Sequence, residues 1–310
     1  MREDEEEEGM QKTILLNGAE RVQLELEPPE LEEAAAPRKW EPKKRKTLLA
    51  VLCWATAVML NDCALAWIHE RVPSRPPLPD LFFSLLPEVP AAIQRATEWL
   101  IVVAAILTYS VLFFHQHRWI TLRRIFFISG ICYACRALCI TLVQVPVPSE
   151  RTYCAPKDPR GSSLALVLSR IGATALSLGM DLYKKRDLCG DLIVSGHTIA
   201  LVLAFLSVRE YSPRRLNAVL SALVGACALV GVVCILLARR HYSLDVLFAY
   251  YLTSRIFWIY HSLLLQPKCS LNNVWWFRAF QYMESDSPPP SEWQNRLKCP
   301  SSNCLTFRHS

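Results

Sequence analysis

The sequence lacks two patterns that are typical of other classes of protein. Its apolar segments do not alternate apolar and polar side chains, so a membrane-spanning β-barrel is excluded. Its start lacks the net positive charge and the immediate apolar core of a cleavable signal peptide, because an acidic run covers Glu3 to Glu8. The first long apolar segment must therefore serve as the targeting signal.

Apolar residues are present in excess. Hydrophobic residues make up 52% of the 310 positions and the mean hydropathy is +0.20, which is more apolar surface than a soluble domain of this size needs. The excess lies in blocks long enough to cross a hydrocarbon layer of about 30 Å, which takes about 20 helical residues. We therefore predict an all-α, polytopic membrane protein with six transmembrane helices. They run approximately from Thr47 to Trp67, Trp99 to Phe114, Ile125 to Val145, Leu192 to Val208, Leu216 to Ala238 and Tyr242 to Leu265.

Composition divides the chain into three segments. Residues 1–46 form a Glu-, Pro- and Ala-rich arm that ends in a basic cluster, residues 47–265 hold the membrane helices, and residues 266–310 form a polar tail. We expect the arm and the tail to be flexible and cytosolic. The basic residues of the arm and of two short loops would then share the cytosolic side, as the positive-inside rule requires. They are Arg38, Lys39, Lys43, Lys44, Arg45 and Lys46, then Arg118, Arg123 and Arg124, then Arg209, Arg214 and Arg215.

Residues 146–191 are predicted to lie on the exoplasmic side. Within them, the stretch from Leu164 to Leu178 is apolar but short, and Arg170 lies in its middle. We expect an interfacial helix there rather than a seventh crossing. A crossing would put the basic loop from Arg209 to Arg215 on the wrong side of the membrane.

Most of the 12 cysteines lie inside apolar blocks, where a small buried thiol is the ordinary interpretation. Cys132, Cys135 and Cys139 have a spacing seen in metal sites. They lie within one predicted helix with no other ligand near in sequence, so no metal site is predicted. Cys154 and Cys189 share the exoplasmic segment, and the sequence leaves a disulfide between them open.

Two polar motifs lie where predicted helices begin. Cys189 to Thr198 reads CGDLIVSGHT at the start of the fourth helix, and His241 to Asp245 reads HYSLD at the start of the sixth. Two crossings separate these starts, so His197 and His241 must lie at the same membrane face, whichever face that is. Ionisable residues beside membrane helices are costly, and they usually mark a functional site or a paired structural group.

The residue types in these motifs suit phosphoryl transfer through a histidine. Asp245 lies one helical turn after His241 and can hold one ring nitrogen, which makes the other a nucleophile. His197 can donate a proton to a leaving oxygen and later withdraw one from an acceptor hydroxyl. Ser195 and Gly196, at a helix start, can place a hydroxyl and backbone N–H groups on phosphate oxygens. Either motif alone would equally fit an interfacial histidine or a simple helix pair.

A series of motifs resembles the sphingomyelin synthase family, within the lipid phosphate phosphatase superfamily. In chain order they are HERVP (His69 to Pro73), PPLPD (Pro76 to Asp80), RRIFF and CYACRAL in the third helix, CGDLIVSGHT, EYSPRRL (Glu210 to Leu216) and HYSLDVLFAYYLTSRIFWIYH (His241 to His261). The resemblance implies an enzyme that transfers phosphocholine from phosphatidylcholine to ceramide and releases diacylglycerol, without cofactor or metal. It also implies a site that faces the Golgi lumen or the outer surface of the plasma membrane.

The resemblance further implies roles for individual residues. The catalytic residues would be His197, His241 and Asp245. Arg136 looks like the arginine of the family's third-helix motif and is a candidate for phosphate binding, with pairing to Asp62 as the alternative. Asp191 and Glu98 are candidates for contact with a cationic head group.

Two departures from related motifs leave alternatives open. Many members of the family carry an acidic residue just before the second histidine, whereas this chain has Arg239 and Arg240, so ethanolamine and inositol head groups remain alternatives to choline. Hydrolysis by a lipid phosphate phosphatase is a further alternative, but Val194 stands where the superfamily's phosphatases carry proline before Ser-Gly-His, which makes hydrolysis the weaker one. The sequence predicts lipid partners and no nucleic-acid partner. It leaves open a non-catalytic relative and the oligomeric state, a homo-oligomer included.

Overall fold

The computed structural model describes residues 42–89, 92–157, 164–176, 188–265, 271 and 274–298. In these ranges the chain is helical apart from turns, loops and an isolated β-bridge between His115 and Leu297. The α-helices are α1 (Lys44–Ile68), α2 (Leu81–Leu85), α3 (Ala92–Phe114), α4 (Arg118–Leu142), α5 (Leu164–Leu176), α6 (Gly196–Tyr211), α7 (Arg214–Leu237), α8 (Ser243–Leu264) and α9 (Trp275–Glu284), and a 3-10 helix covers His69–Arg71. The predicted all-α class is confirmed for this part of the chain.

The six predicted membrane segments correspond to α1, α3, α4, α6, α7 and α8. Within the described ranges, four stretches are long and apolar enough to cross a membrane: Lys44–Arg71, Arg95–Phe114, Arg118–Leu142 and Arg214–Leu237. Neither α6, with 16 residues, nor α8 meets the same length and hydropathy requirement. The chain is therefore a helical membrane protein with four such helices in the part that the structure describes.

Two helices begin at different residues from those predicted. α6 begins at Gly196 rather than Leu192, because the Ser195 hydroxyl accepts a backbone N–H of the first turn at 3.2 Å and caps the helix there. α3 begins at Ala92 rather than Trp99, because polar residues before Trp99 lower the local hydropathy without ending a helix.

α6 lies at the centre of the bundle and packs against α3, α4, α7 and α8. Its buried apolar residues are Ile199, Leu201, Val202, Leu203, Ala204, Leu206 and Val208. α7 approaches it closely through glycines, since a Cβ at Gly231 would lie 2.7 Å from the Leu201 side chain and one at Gly225 would lie 3.1 Å from that of Phe205. A helix that is apolar on all faces is expected in such a surrounded position.

α5 is a short helix that packs against α1, and Arg170 Nη1 donates to Glu70 Oε1 at 2.6 Å. With 13 residues it is about 20 Å long, shorter than a hydrocarbon layer of about 30 Å. Over the residues that the structure describes, this helix is therefore shorter than a membrane crossing. Residues 177–178, the end of the predicted stretch, lie outside the described residues.

Cys154 and Cys189 form a disulfide between positions 35 residues apart. His69 lies beside it: Nδ1 accepts the Cys189 N–H at 2.9 Å, and Nε2 is 3.1 Å from the Ala155 carbonyl oxygen. Because Nδ1 accepts, the ring proton is on Nε2 and is donated to that carbonyl. The pairing that the sequence left open is therefore present, and the histidine of the HERVP motif connects both sides of the disulfide to the end of α1.

Residues 274–298 pack on the bundle at the end far from the disulfide. α9 buries Phe277, Phe280 and Met283. The segment after α9 reaches the loop between α3 and α4, where the Gln116 N–H donates to the Arg296 carbonyl at 2.8 Å. The expectation of a flexible tail is wrong for this stretch. The other tail residues, 266–270, 272–273 and 299–310, and the arm up to residue 41 lie outside the described residues, apart from residue 271.

Ion pairs explain why this part of the tail is held. Asp286 accepts from Lys46 at 2.8 Å and from Arg123 at 2.9 Å, and Glu284 accepts from Arg124 at 2.7 Å. The three basic side chains are buried. Buried charges need partners of opposite sign, and the tail supplies them. Composition could not predict this docking, because the acidic and basic residues are far apart in the chain.

Contacts between helix ends show which elements meet at each end of the bundle. At one end, the tail meets the starts of α1 and α4 through these ion pairs. At the other end, the starts of α6 and α8 meet, with the Ser195 N–H 3.3 Å from the Asp245 carbonyl oxygen. There too the Val89 N–H donates to the Leu237 carbonyl at 3.2 Å, which joins the end of α7 to the segment before α3. Both histidine motifs thus lie opposite the tail.

Removing the disulfide should destabilise the protein. A cross-link that closes a loop of this length contributes about 3 to 4 kcal/mol to the free energy of unfolding in the chain-entropy account. We expect the double variant Cys154→Ser, Cys189→Ser to unfold at a lower temperature, measured by tryptophan fluorescence of the purified protein in detergent. Cys53→Ser, which removes an exposed free thiol, is the control. Equal unfolding temperatures for the two variants would contradict the prediction.

Candidate active site

The two histidines of the sequence motifs lie side by side. His197 is in the first turn of α6, and His241 lies two residues before α8. Their ring centroids are 6.2 Å apart and the ring planes meet at 61°. Because reacting atoms approach to about 3 to 3.5 Å before a bond forms, one atom placed between the rings can be reached from both.

Asp245 has two contacts at the start of α8. Its Oδ2 accepts the Tyr242 N–H at 3.0 Å, which closes a capping box, and the same oxygen lies 3.5 Å from Nδ1 of His241. The second distance is longer than a formed hydrogen bond of about 2.7 to 3.2 Å, and such contacts often shorten when substrate binds. The cap fixes the carboxylate beside Nδ1 and leaves Nε2 of His241 on the opposite side of the ring.

His241 is a buried histidine whose pKa is strongly displaced. Burial lowers the pKa to about 4; Asp245 opposes this change, while His197 and the positive charge of Arg240 add to it. Above that pH the unprotonated ring predominates, so His241 is neutral near pH 7. A neutral imidazole is the form that can act as a nucleophile.

His197 has a carboxylate partner of its own. Glu98 on α3 is 1% exposed, and its Oε1 lies 3.0 Å from Nε2 of His197. Sequence reasoning assigned Glu98 to a cationic head group and did not predict this contact. The available signal was an acidic residue at the start of an apolar helix, at the same end of the bundle as the histidines.

Arg136, on α4, contacts the loop that carries the Ser-Gly-His motif and holds it in place. It is 2% exposed, its Nε donates to the Val194 carbonyl at 2.8 Å, and its guanidinium also contacts Asn61 and forms an ion pair with Asp191. A Cβ at Gly196 would lie 3.4 Å from the guanidinium carbon, so the glycine permits this close approach. The structure therefore places Arg136 against the loop, which it contacts through the Val194 carbonyl and through Asp191 of the loop itself.

Ser195 and Gly196 form the start of α6. Ser195 is fully buried, and its hydroxyl caps the helix by accepting the Thr198 N–H. The N–H groups of Gly196 and His197 precede the first intrahelical hydrogen bonds, so they have no partner within the helix. These backbone groups carry the positive end of the helix dipole at the point where the two histidines meet.

Backbone strain lies next to both histidines. Ile193 has φ 78° and Arg239 has φ 46°, values that residues other than glycine rarely adopt. Arg239 is the left-handed residue of a Schellman turn that ends α7: its N–H donates to the Leu236 carbonyl at 3.0 Å, and the Arg240 N–H donates to that of Ile235 at 3.1 Å. Strain of this kind costs about 1 to 3 kcal/mol per residue and is found most often at functional sites.

The PPLPD motif supports the HYSLD motif from the other side. Asp80 caps α2 and also accepts the backbone N–H and the hydroxyl of Ser243, each at 2.8 Å. Burial raises the pKa of Asp80, but the hydrogen bonds from Ser243 outweigh it, so the pKa lies below its usual value. The Tyr242 hydroxyl accepts the Leu78 N–H and donates to the Pro146 carbonyl, each at 3.0 Å. The motif is therefore a clamp on the start of α8.

A cavity of about 50 Å³ opens at the histidines, with room for a few water molecules. Its lining includes Tyr153, Asp191, His197, Arg240 and His241. Among the residues that the structure describes, no group of three or more His, Cys, Asp or Glu side chains is arranged to hold a metal ion. The cavity thus has the imidazoles of His197 and His241, the guanidinium of Arg240 and the carboxylate of Asp191 around one small space.

Arg136 should be essential for the stability of this end of the bundle. Arg136→Met would leave Asp191 without its cation and the Val194 carbonyl without its donor, which should cost about 3 to 5 kcal/mol. We expect a lower unfolding temperature, and partial recovery in the double variant Arg136→Met, Asp191→Asn, because the second change removes the uncompensated charge. Arg255→Met, at an exposed arginine of α8, is the matched control. A single variant that unfolds like the wild type would show that the brace is unimportant.

Comparisons with known proteins show which family the chain resembles. Residues 188–262, which contain both histidine motifs, match the family model for the PAP2 superfamily C-terminal region. The chain is 47% identical over 224 residues to sphingomyelin synthase-related 2 of Caenorhabditis elegans, covering 72% of this chain and 67% of that protein. It is 34% identical over 255 residues to phosphatidylcholine:ceramide cholinephosphotransferase 2 of the same nematode, covering 78% of this chain and 73% of that protein. It is also 34% identical over 281 residues to human phosphatidylcholine:ceramide cholinephosphotransferase 1, covering 87% of this chain and 66% of the human protein. The chain belongs to the sphingomyelin synthase family.

Proposed function

We propose that this chain transfers a phospho-head group from a glycerophospholipid to ceramide through a phosphohistidine. Phosphatidylcholine is the proposed donor, so that the products are sphingomyelin and diacylglycerol. The observation that carries the proposal is the pair of histidine rings 6.2 Å apart, each beside a buried carboxylate. The names of the relatives, which include phosphatidylcholine:ceramide cholinephosphotransferases, support the choice of donor and acceptor.

In the first step, Nε2 of His241 attacks phosphorus. The bond to the diacylglycerol oxygen breaks, and that oxygen takes a proton from His197. Asp245 stabilises the positive charge that develops on the ring of His241. In the second step, His197 withdraws the proton of the primary hydroxyl of ceramide, and the ceramide oxygen displaces His241 from phosphorus. The proton lost from His197 in the first step is thereby recovered in the second.

The remaining candidate residues act around this reaction. The N–H groups of Gly196 and His197 donate to phosphate oxygens at the start of α6, where the helix dipole favours negative charge. Ser195 holds that helix start in place through its cap. Arg136 positions the loop through the Val194 carbonyl and through its ion pair with Asp191, which belongs to the loop. Glu98 orients the ring of His197.

We also infer six membrane crossings, with both termini in the cytosol. The 16 residues of α6 rise about 24 Å, and α6 is surrounded by other helices rather than by lipid, which lowers the length it needs. The basic residues at the starts of α1 and α4 lie at the end that holds the tail, and the positive-inside rule assigns that end to the cytosol. The histidines then face the Golgi lumen or the cell exterior.

A second candidate function is hydrolysis, in which water replaces ceramide in the second step. The match of residues 188–262 to the PAP2 superfamily favours it, since the lipid phosphate phosphatases that the two histidine motifs resemble belong to that superfamily. Transfer to ceramide remains the first choice, because the matches to sphingomyelin synthases extend over most of the chain.

The proposed roles of His241 and of Glu98 can be tested by substitution. His241→Ala should abolish transfer, because no other neutral nucleophile faces the phosphorus in this scheme. Glu98→Gln should lower kcat by about 10²- to 10⁴-fold, because it removes the charge that orients the ring of His197. Glu150→Gln, at an exposed position of the exoplasmic segment, is the control. The measurement is transfer of a labelled head group to fluorescent ceramide by purified protein, and retained activity in His241→Ala would disprove the phosphohistidine.

The donor can be identified with a panel of lipids. Purified protein is given fluorescent ceramide with phosphatidylcholine, phosphatidylethanolamine or phosphatidylinositol, and phosphatidic acid without ceramide in a parallel reaction. We expect the choline donor to give the fastest transfer and phosphatidic acid to release little inorganic phosphate, because the proposed reaction needs the ceramide hydroxyl as acceptor. Faster release of phosphate than transfer to ceramide would favour the hydrolytic function instead.

A further inference from the structure

Two adjacent arginines, Arg239 and Arg240, precede His241, and their side chains contact different parts of the protein. Arg239 Nη2 donates to the Phe83 carbonyl at 3.1 Å, and its guanidinium lies 5.1 Å from the centre of the Phe83 ring. Arg240 instead lines the cavity together with His197 and His241. The Schellman turn at the end of α7 holds the backbone of both arginines, because it fixes their N–H groups on the last turn of the helix.

We propose that Arg240 binds the phosphate of the donor lipid and stabilises the charge that develops on it during transfer. This inference rests on the proposed function, because it assigns a residue to the phosphate that His241 attacks. It differs from one of the two roles that the sequence left open for Arg136, namely phosphate binding.

Arg240 differs from Arg136 in its position relative to the cavity. Among the described residues that line the cavity, Arg240 is the only arginine or lysine. Arg136 does not line it; its guanidinium is directed at Asn61 and at the Val194 carbonyl and Asp191 of the loop. The transferred group carries negative charge on its oxygens in the transition state, and a guanidinium can donate two parallel hydrogen bonds to them.

The electrostatic effect of Arg240 on the nucleophile supports this position. Burial is the main cause of the low pKa of His241, and Arg240 and His197 lower it further, against the opposing effect of Asp245. Arg240 is therefore close enough for its charge to act on the ring that attacks phosphorus. A cation there also helps to keep that ring unprotonated.

The test compares Arg240→Gln, Arg240→Lys and Arg239→Gln. The two glutamine variants remove the same charge from neighbouring positions, and only one of them lines the cavity. We expect Arg240→Gln to lower kcat/KM for transfer by about 10- to 100-fold, because it removes hydrogen bonds to a charged group. Arg240→Lys should restore part of the activity, since it keeps the charge but loses the planar fork. Arg239→Gln should change kcat/KM by no more than about twofold.

A pH profile separates phosphate binding from a purely structural role. Removing the charge of Arg240 should raise the pKa of His241, so the acid side of the kcat/KM profile should move to higher pH in Arg240→Gln. Arg239→Gln and Arg240→Lys should leave it in place. Equal losses of activity in the two glutamine variants, or an acid side that does not move in Arg240→Gln, would overturn the inference.

A second measurement does not depend on the identity of the lipid substrates. Orthovanadate resembles the transferred phosphoryl group, and we expect it to raise the unfolding temperature of the wild type and of Arg239→Gln but not of Arg240→Gln. If the wild type transfers no head group to ceramide yet shows this pattern, the proposed function fails and the phosphate-binding role of Arg240 stands. If orthovanadate stabilises Arg240→Gln as much as the wild type, the inference about Arg240 fails even when transfer to ceramide is observed.

Discussion

Each of the two histidines lies against a carboxylate that is itself buried, and the rest of the site depends on these two pairs. An ionised carboxylate that is removed from water is stable only when charges and hydrogen bonds compensate for the lost hydration. For Asp245 the compensation comes from the Tyr242 N–H at a helix start as well as from His241, and for Glu98 it comes from His197. The carboxylates fix the rings, and the rings in turn make the carboxylates tolerable at the edge of a membrane.

Two loops carry the histidines, and other parts of the chain hold these loops in strained conformations. Arg136 reaches from α4 to the loop before α6, Asp80 reaches from the start of α2 to the first residue of α8, and the disulfide fixes Cys189 at the beginning of the Ser-Gly-His loop. Positive φ angles at Ile193 and Arg239 persist because these contacts outweigh the local cost. The geometry at the histidines is therefore set by several distant segments and not by the motifs alone.

Both ends of the bundle contain buried basic side chains, and their surroundings differ. At the tail end, buried basic side chains are neutralised by Glu284 and Asp286, so the charges there are used to dock the chain on itself. At the site end, Arg136 is used in a similar way, whereas the cavity keeps a guanidinium from Arg240 beside both histidines. The charges at the tail end therefore join two parts of the chain, and at the other end Arg240 lies at the cavity.

The sequence by itself determined the all-α class of the described residues, the approximate positions of six apolar helices and the common end of the bundle at which His197 and His241 lie, because these follow from local composition and from counting helices along the chain. It also identified the spacing that places Asp245 one turn after His241, which is a property of any α-helix. Only the tertiary structure decided that Glu98 lies against His197, that Arg136 braces a loop, that the tail docks through Asp286, and that Arg240 rather than Arg239 lines the cavity. These contacts join residues that are distant in the chain or that differ only in the direction of a side chain, and neither property leaves a local pattern in the sequence.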